Sequence, residues 1–471
     1  MYNDVSRSWR RSTMVDIVTT LIETLGKNSV LTGDDVSSRQ AGLFSPKSVE
    51  AKAIVRPRST EEVSQVLKLC HEFGQPVVAH GGLTGLVESA VTKPDDLVVS
   101  LERMNSIEEI NQVDRTVSVQ SGVILQTLQE EVEKHDLMFP LDLGSRGSRT
   151  IGGNIATNAG GNRVIRYGMT RDMVLGVEAV LADGTIVSSM NQMIKNNAGY
   201  DLKQLFIGSE GSLGIVTRAV LRLREAPRER STLLVAVDEF DKLPALLKHL
   251  DSGLGGTLSA FELMWNNYYT LVTTEPALNS PPLPQEYPYY VLIEAIGSEE
   301  VKTEAILAEA WEQGLVVDAV VAGSEAQRHQ LWAIRDDVGQ LLRFSPTFTF
   351  DVSLRVSRMV DYVAEVNRRL KDRFPNVENF TLGHMGDGNL HFLVATGEGD
   401  NSLRHDVEAC VYEPLADISG SVSAEHGIGL EKKDWLSISR SPEEIDVMRR
   451  MKLALDPRGI LNPGKIFDLS E

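Results

Sequence analysis

This 471-residue chain contains the stretch Ile151-Gly152-Gly153-Asn154-Ile155-Ala156-Thr157-Asn158-Ala159-Gly160-Gly161, which decides its fold. Four of these eleven residues are glycine, and five more are small or carry an amide. Packed helices and strands avoid such a composition, because glycine loses the most conformational freedom on folding. Interleaved apolar residues also argue against a flexible linker. The stretch suits a backbone wrapped around a long polar ligand, with N–H groups exposed for hydrogen bonding.

Three further segments share this style along the chain: His80-Gly81-Gly82-Leu83-Thr84-Gly85-Leu86, Pro140-Leu141-Asp142-Leu143-Gly144-Ser145, and residues 205–217. In the first segment, glycines allow backbone amides to approach an anion, and Thr84 adds a hydroxyl donor. A tight turn is the competing interpretation of that segment. The segment matches neither the dinucleotide fingerprint nor the P-loop, so the sequence supports neither an NAD site nor a nucleoside triphosphate site.

Composition and charge exclude several classes of protein. The net charge of −19 argues against a nucleic-acid partner, because phosphate binding needs a basic surface. No apolar run approaches the roughly 18 residues of a membrane span, and no secretory signal is evident. The two cysteines, Cys70 and Cys410, form no CxxC motif, which predicts a reduced, cytoplasmic protein without an iron–sulfur cluster of its own.

The order of apolar runs predicts an α+β protein with more than one domain. Helices are expected near residues 57–73, with Thr60 as the cap, and over 301–313 and 442–455, whereas 232–237 and 289–294 read as strands. We divide the chain into an N-terminal helical segment (1–48), a first domain (49–226), a second domain (227–430) and a C-terminal segment (431–471).

The glycine-rich segments, together with Arg166-Tyr167-Gly168, Asp183-Gly184-Thr185 and residues 197–202, resemble the FAD-binding domain of the vanillyl-alcohol oxidase, or PCMH-type, superfamily. The chain is similar to its branch of FAD-dependent D-2-hydroxy-acid dehydrogenases, which contains D-2-hydroxyglutarate dehydrogenase, D-lactate dehydrogenase and the glycolate oxidase large subunit. The resemblance implies a PCMH-type FAD-binding domain, a second α+β substrate or cap domain, and a C-terminal helical segment returning to the FAD domain.

The resemblance also implies which residues bind FAD. The pyrophosphate is expected at Gly81, Gly82, Thr84 and Gly85, and the intervening Leu83 and the following Leu86 are also expected to bind FAD. Further contacts, to the flavin, ribityl chain and adenine, are expected from Pro140, Gly144, Ser148, Gly152, Gly153, Asn154, Thr157, Asn158, Gly161, Ile215 and Asn462. Superfamily members with covalent flavin often have a histidine where this chain has Leu83. We therefore expect non-covalent FAD, with a tether through His80 as the lesser alternative.

A candidate metal site lies in Gly383-His384-Met385-Gly386-Asp387-Gly388-Asn389-Leu390-His391. Asp-Gly is a strong signal for a two-residue type I′ hairpin loop. Such a loop would place His384 directly opposite His391, with their side chains on one face of the sheet. Two imidazoles placed in this way can share one metal ion.

The segment Ser423-Ala424-Glu425-His426 supplies further candidates. Glu425 can complete a His₂Glu set that leaves coordination positions open for substrate, and His426 can act as a base near neutral pH. The competing interpretation is that this pair caps a helix over residues 430–436. By resemblance, His384, His391 and Glu425 bind a divalent metal, often zinc, and His426 contacts the substrate and takes its hydroxyl proton.

Arg335 is the candidate for the substrate carboxylate, because a guanidinium matches a carboxylate in two-pronged geometry. A surface arginine paired with Asp336 or Asp337 is the alternative, and the resemblance favours the functional interpretation. The chain departs from D-2-hydroxyglutarate dehydrogenase at three pocket positions, where it has Gly339, Thr349 and Leu393. D-lactate or a longer homologue therefore competes with hydroxyglutarate, unless Arg163, Lys203 or Arg343 compensates.

The predicted function is FAD- and metal-dependent oxidation of a D-2-hydroxy acid to its 2-oxo acid, by hydride transfer to flavin N5. The alternatives are an oxygen-using flavin oxidase of a hydroxy acid or alcohol and a non-catalytic flavin-binding subunit. The expected partners are a small D-2-hydroxy acid and an external electron acceptor such as an electron-transfer flavoprotein, a quinone or a cytochrome, with a homodimer also possible.

Overall fold

A computed structural model describes residues 16–42, 47–397 and 399–469 of the chain. The predicted N-terminal segment 1–48 is therefore described only in part, and residues 1–15 lie outside the described ranges. The elements form three main sheets along the chain, and helices pack against them. No helix within these ranges combines the length and apolarity that a bilayer crossing requires.

The first sheet has four strands in the order β1-β2-β4-β3. Its elements are helices α1 (Ile17–Leu25), α2 (Asp34–Ser37) and α3 (Thr60–Phe73), and strands β1 (Val30–Leu31), β2 (Ala53–Val55), β3 (Val77–His80) and β4 (Leu97–Ser100). The predicted helix at α3 is confirmed, but its cap is Ser59 rather than Thr60. Ser59 has an extended backbone and accepts from the N–H of Glu62, whereas the Thr60 hydroxyl donates to the buried Glu178 at 2.7 Å.

The second sheet is antiparallel, with five strands in the order β5-β6-β10-β8-β9. Its strands are β5 (Ile107–Asn111), β6 (Thr116–Gln120), β8 (Val174–Val180), β9 (Ile186–Ser189) and β10 (Ile215–Arg222), and β7 (Leu137–Met138) pairs separately with β11 (Arg224–Glu225). The accompanying helices are α4 (Leu125–Glu133), α5 (Ile151–Ala156), α6 (Val164–Tyr167), α7 (Thr170–Met173) and α8 (Lys203–Phe206).

The first six residues of the glycine-rich stretch form the short helix α5, so the expectation that this composition avoids a helix is wrong there. Thr150 caps the helix, and Ile151 and Ile155 lie one turn apart in the apolar core. Gly152 packs so tightly on Ser121 that an added Cβ would lie 3.1 Å from the Ser121 carbonyl oxygen. Glycine therefore serves close packing here, which helical propensity alone does not reveal.

The third sheet has seven strands in the order β15-β12-β14-β13-β17-β18-β16, and all its pairings are antiparallel. The strands are β12 (Arg230–Val237), β13 (Leu258–Trp265), β14 (Tyr289–Ile296), β15 (Asp318–Val321), β16 (Thr347–Ser353), β17 (Glu378–His384) and β18 (Asn389–Ala395). The helices of this region are α9 (Lys242–Leu254), α10 (Asn266–Thr273), α11 (Glu300–Glu312), α12 (Glu325–Asp336), α13 (Met359–Arg373) and α14 (Arg404–Tyr412).

The two faces of the third sheet differ in chemistry. One face buries a large apolar cluster that includes Phe261, Ile293, Phe350 and Phe392 with residues of α9, α11, α13 and α14. Because side chains alternate along a strand, the residues between them lie on the other face. That face carries the buried ionisable groups Glu262, Glu294, Asp351 and His384 together with the half-buried His391, and we call it the polar face.

The C-terminal residues lie against the first sheet. Helices α15 (Leu436–Ser439) and α16 (Pro442–Leu455) follow the third sheet, and Ser441 begins α16 with a capping box. Beyond α16, the N–H of Val77 in β3 donates to the Ile460 carbonyl at 2.8 Å, and the N–H of Asn462 donates to the Val77 carbonyl at 2.8 Å. Residues 460–462 thus lie alongside the start of β3.

Helix α6 joins the second and third sheets. The Arg163 side chain, just before α6, lies 3.1 Å from both Asp142 and Glu294 on the polar face. The Arg166 guanidinium donates to the carbonyl oxygens of Thr257, at 3.1 Å, and Ile296. These contacts hold the glycine-rich region against the polar face.

Replacing Arg166 should weaken this junction. Hydrogen bonds from a charged donor contribute about 1.5–3 kcal/mol each, so we expect the loss of both bonds in Arg166→Met to lower the free energy of unfolding by roughly 3–6 kcal/mol in urea titration. Arg368→Met is the matched control, because exposed pairs such as those of Arg368 are worth about 1 kcal/mol or less. Equal effects of the two substitutions would contradict this role for Arg166.

Candidate active site

The two histidines of the predicted metal site lie together, but not in the predicted register. Leu382, rather than His384, pairs with His391, and a 3₁₀ turn over Met385–Asp387 leads into Gly388 at φ +88°. The expected two-residue Asp387-Gly388 loop is therefore wrong. A shift of two residues keeps side chains on the same face, so both imidazoles still lie on the polar face, with ring centroids 5.3 Å apart.

Glu425 completes the predicted cluster. Its Oε1 lies 3.7 Å from His391 Nε2 and 3.9 Å from His384 Nε2. The three donor atoms lie within 4.8 Å of one another, which suits one small divalent cation at bond lengths of about 2.0–2.2 Å. The structure thus brings His384, His391 and Glu425 together in a set that could hold a metal ion. We call these three side chains the metal cluster.

Neutral imidazole is the form that binds metals, and His391 is held in that form. Burial lowers the pKa of His391 well below its usual value, and the neighbouring His384 and His426 lower it further. A lone pair therefore stays available near neutral pH.

Glu262 orients His384 through Nδ1, the ring nitrogen that does not face Glu425. Sequence reasoning did not single out Glu262. Its Oε1 lies 2.8 Å from His384 Nδ1, which leaves Nε2 directed at Glu425. Burial raises the pKa of Glu262, but His384 and Arg335 outweigh it and hold the pKa below the usual value. A carboxylate behind a ligating histidine fixes the ring and raises its basicity.

Arg335 lies in the same network and is buried, which excludes the alternative of an exposed surface arginine. Its Nε donates to Glu262 Oε2 at 2.8 Å, Nη1 lies 3.3 Å from Asp336, and Nη2 lies 3.2 Å from His384 Nε2. The guanidinium therefore borders the metal cluster, within reach of a substrate carboxylate placed there.

Asp351 supports His426 and was also missed as a site residue. One of its oxygens accepts from the N–H groups of Ala424, Glu425 and His426 at 2.9, 2.8 and 3.1 Å. The other lies 2.9 Å from His426 Nδ1 and accepts from Lys432. Burial raises the pKa of Asp351, but His426 and Lys432 outweigh it and hold the pKa well below the usual value.

An ionised Asp351 can only accept, so Nδ1 of His426 carries a proton and Nε2 is the nitrogen left for a substrate. His426 Nε2 lies 3.9 Å from Glu425 Oε1, at the metal cluster. The alternative that Glu425 and His426 cap a helix over 430–436 is wrong, because that region forms a 3₁₀ turn at Lys433–Trp435 followed by α15.

The predicted pyrophosphate loop offers unused donors. Among the described residues, none accepts a hydrogen bond from the five consecutive N–H groups of Gly82 to Leu86. Gly82 lies against Ser148 and Arg149, and an added Cβ would be 3.0 Å from the Arg149 Cα. A run of free N–H groups fits a pyrophosphate, as the FAD assignment requires.

The other predicted FAD residues surround α5. Gly152, Gly153 and Asn154 lie within it, and the buried Asn154 Nδ2 has no partner within the described ranges, as expected for an atom that meets a ligand. Pro140, Gly144 and Ser148 precede α5 in an irregular segment, whereas Thr157, Asn158 and Gly161 follow it.

Several predicted FAD residues also have structural contacts. Asn158 accepts from the Arg171 N–H at 2.9 Å, and Asn462 accepts from the Ala79 N–H at 3.0 Å. Ile215 begins β10 and lies within the apolar cluster of the first sheet. His80 Nε2 lies 2.8 Å from the Ala90 carbonyl oxygen, and burial lowers the His80 pKa to about 4. That nitrogen is thus engaged by the protein.

The FAD segments and the metal cluster meet directly. A Cβ on Gly160 would lie 3.1 Å from Glu425 Oε2. The buried Glu210 accepts from the N–H groups of Ile428 and Gly429 at 2.7 and 2.9 Å, which fixes the segment after His426. The first contact places Glu425 beside the glycine-rich stretch, and the second joins the segment after His426 to the glycine-rich segment 205–217.

Sequence reasoning missed three buried carboxylates, Glu210, Glu262 and Asp351. Each is 5% exposed or less. For Glu262 and Asp351 a signal exists, because each is an acid flanked by apolar residues in a strand, and a buried acid needs a partner. Glu210 sits in a glycine-rich loop, where no such pattern marks it.

Two family profiles match the chain. The profile described as FAD linked oxidases, C-terminal domain, matches residues 226–466, and the one described as FAD binding domain matches residues 51–189. D-2-hydroxyglutarate dehydrogenase from Xanthomonas citri pv. viticola is 41% identical over 425 residues, which cover 88% of this chain and 89% of that protein. The mitochondrial D-2-hydroxyglutarate dehydrogenase of Bos taurus is 40% identical over 422 residues, covering 88% and 77%.

Solved structures share the fold at low identity. p-Cresol methylhydroxylase with substrate bound superposes with a TM-score of 0.77 at 16% identity, covering 97% of each chain. 4-Ethylphenol oxidase from Gulosibacter chungangensis gives 0.73 at 20% identity, covering 96% of this chain and 97% of the other. These likenesses confirm the predicted α+β, PCMH-type fold class.

Glu262→Gln should weaken metal binding while the ligands stay in place. Loss of a carboxylate behind a ligating histidine typically costs about 10–100-fold in metal affinity, which chelator competition would measure. The matched control is Glu294→Gln, another buried acid of the polar face, which bonds Arg163 and Ser259 rather than a candidate ligand. An unchanged affinity in Glu262→Gln, or an equal loss in both variants, would contradict the orienting role.

Proposed function

The chain belongs to the PCMH-type family of FAD-linked oxidases that contains the D-2-hydroxyglutarate dehydrogenases, and from this premise we propose how its own residues oxidise a D-2-hydroxy acid. The proposed reaction converts the 2-hydroxyl group into a 2-oxo group, and it takes place where the polar face meets the glycine-rich stretch. The observation that carries the proposal is the single cluster of His384, His391, Glu425, His426 and Arg335 bordering Gly160.

Bound FAD supplies the two-electron acceptor, and a divalent metal, which we propose to be zinc, makes a nearby hydroxyl more acidic. His384, His391 and Glu425 are the residues that would hold the metal. The loop Gly82–Leu86 and Asn154 would hold FAD, without a covalent bond, since His80 is engaged with Ala90.

Arg335 binds the substrate carboxylate in this proposal. Its Nη2 lies beside His384 Nε2, so a carboxylate at the metal cluster would come within reach of it. Glu262 and Asp336 fix the guanidinium from the opposite side. A pre-positioned arginine fixes the orientation of the acid, and hence whether the single hydrogen on C2 faces the glycine-rich segments that would hold FAD.

His426 removes the hydroxyl proton. Nδ1 is held by Asp351, so Nε2 accepts the proton and Asp351 stabilises the resulting imidazolium. An ionised aspartate behind a histidine base keeps the ring in the productive tautomer and orientation. The electrons pass on to an external acceptor, for which an electron-transfer flavoprotein, a quinone or a cytochrome are the candidates.

The proposal predicts metal-dependent reduction of the flavin by one enantiomer of the substrate. Purified protein with bound FAD is mixed anaerobically with D- and L-2-hydroxy acids, and flavin absorbance is followed before chelation, after chelation and after metal addition. We expect bleaching by D-acids only, loss of bleaching on chelation, and recovery with zinc or a similar ion. Bleaching that is indifferent to chelation would favour the oxygen-using flavin oxidase, acting without a metal, and no bleaching at all would favour the non-catalytic flavin-binding subunit.

His426→Gln should slow flavin reduction and leave both binding sites intact. A positioned general base contributes about 10²–10⁴-fold, so we expect a fall of that order in the reduction rate, measured by stopped flow. The FAD absorbance and metal content should match those of the unaltered protein. His329→Gln, at a side chain that is 72% exposed, is the control and should have no effect. A fall of less than tenfold in His426→Gln would rule out its role as the base.

A further inference from the structure

A strip of the polar face extends from His391 toward the end of β18. Leu393 is the next residue of β18 on this face, and it pairs with Phe380 of β17 on one side and Thr349 of β16 on the other. Phe344 packs on Phe380, with ring centroids 5.4 Å apart. We call the strip formed by Phe344, Thr349, Phe380 and Leu393 the tail strip.

The tail strip is apolar beside a cluster that is rich in charge. Leu393 and Phe380 are 5% and 6% exposed and belong to an apolar cluster with Leu341 and Ile334. Thr349 is the exposed member of the strip, and it has no charge. Gly339 lies at the exposed turn after α12, where a Cβ would meet no atom within 4 Å.

The spacing along the strand sets the reach from the metal cluster. Residues two apart on a strand are separated by about 6.6–6.8 Å. A substrate held at its carboxylate and 2-hydroxyl by Arg335 and the metal ligands would therefore contact Leu393 with the third or fourth carbon of its side chain. The chemistry of the tail strip then decides which side chain is accepted.

The cations nearest the polar face are already paired. Arg335 is bound to Glu262 and Asp336, and Arg163 is bound to Asp142 and Glu294. A second substrate carboxylate on the tail strip would meet neither of these paired cations and would lose its hydration, which is costly without a partner. Two other cations remain as candidates. Arg149 donates from Nε to the Gly144 carbonyl and its charge interacts with Glu425, on the FAD side of the cluster. Arg343, which directly precedes Phe344, is exposed and donates to the carbonyl oxygens of Gln340 and Leu271.

We propose that the substrate of this chain is a D-2-hydroxy monocarboxylic acid with a branched apolar side chain of about four carbons, lying on the tail strip. This inference rests on the proposed function and specifies its substrate class. It makes Leu393 and Thr349 specificity-determining residues, while Arg335 and the metal ligands hold the end of the molecule that reacts.

The first test compares three acids on the FAD- and metal-loaded enzyme: D-2-hydroxy-4-methylpentanoate, D-lactate and D-2-hydroxyglutarate. Each buried methylene is worth roughly fourfold, so the three additional carbons of the branched acid should raise kcat/KM over that of D-lactate by on the order of 50-fold. The branched acid should also exceed D-2-hydroxyglutarate by at least tenfold. If D-2-hydroxyglutarate equals or exceeds it, the proposed tail specificity is overturned and the proposed function stands.

Substitutions in the tail strip give the second test. Thr349→Lys places a cation at an exposed position, so it should raise kcat/KM for D-2-hydroxyglutarate at least tenfold and lower it for the branched acid. Leu393→Asn should lower kcat/KM for the branched acid at least tenfold and change it for D-lactate by less than threefold, because a methyl group does not reach that far. Equal losses for the two acids in Leu393→Asn, or no change of preference in Thr349→Lys, would overturn the proposal.

Arg149→Met and Arg343→Met address the two remaining cations. In each variant, the ratio of kcat/KM between the branched acid and D-2-hydroxyglutarate should stay within threefold of that of the unaltered enzyme. A selective loss of D-2-hydroxyglutarate oxidation of tenfold or more in either variant would show that the replaced arginine binds a second carboxylate, and the proposal would fall. If no D-acid bleaches the flavin in any of these proteins, the proposed function itself fails.

Discussion

The buried carboxylate of Asp351 is the interaction on which the site depends. It has no exposed surface. It accepts hydrogen bonds from three successive backbone N–H groups, from the His426 ring nitrogen Nδ1 and from the Lys432 ammonium. A buried charge is costly unless every lone pair has a partner, so this arrangement allows the segment around Glu425 very few conformations. One aspartate in β16 thereby sets the positions of a candidate metal ligand and of the proposed base.

Two other buried carboxylates act in the same way on different parts of the site. Glu262 joins His384 to Arg335, and Glu210 joins the glycine-rich region to the segment after His426. Glu262 accepts from the neighbouring strand β17 and from α12, whereas Asp351 and Glu210 accept from backbone N–H groups of residues 424–429. The fold shared with p-cresol methylhydroxylase and 4-ethylphenol oxidase supplies the layers, whereas these acids and the residues they orient supply the chemistry of this chain.

The polar face separates two tasks. Near His384 and His391 it is densely charged, and every charge there is paired or borders the metal cluster. One step further along β18 it becomes apolar at Leu393 and Phe380. Strand alternation produces this division, since residues two apart share a face and can differ in chemistry without altering the backbone. Reaction and side-chain selection can therefore be changed independently.

The sequence by itself determined the fold class, the glycine-rich segments and the face on which each strand residue lies, because these follow from local composition and from the two-residue period of a strand. It also identified His384 and His391 as partners despite a wrong register, since a slip of two residues preserves the face. Tertiary structure alone decided the register, the 3₁₀ turn before Gly388 and the short helix at residues 151–156, because turn geometry and close packing depend on neighbouring layers. It likewise decided the pairing of Glu262 with His384, 122 positions apart, and of Asp351 with His426, 75 positions apart. Glu262 and His384 face each other on neighbouring strands of one sheet, and Asp351 meets His426 where β16 contacts the segment that begins near Ser421. Strand order and the docking of that segment set these partners, and no local pattern in the chain records them.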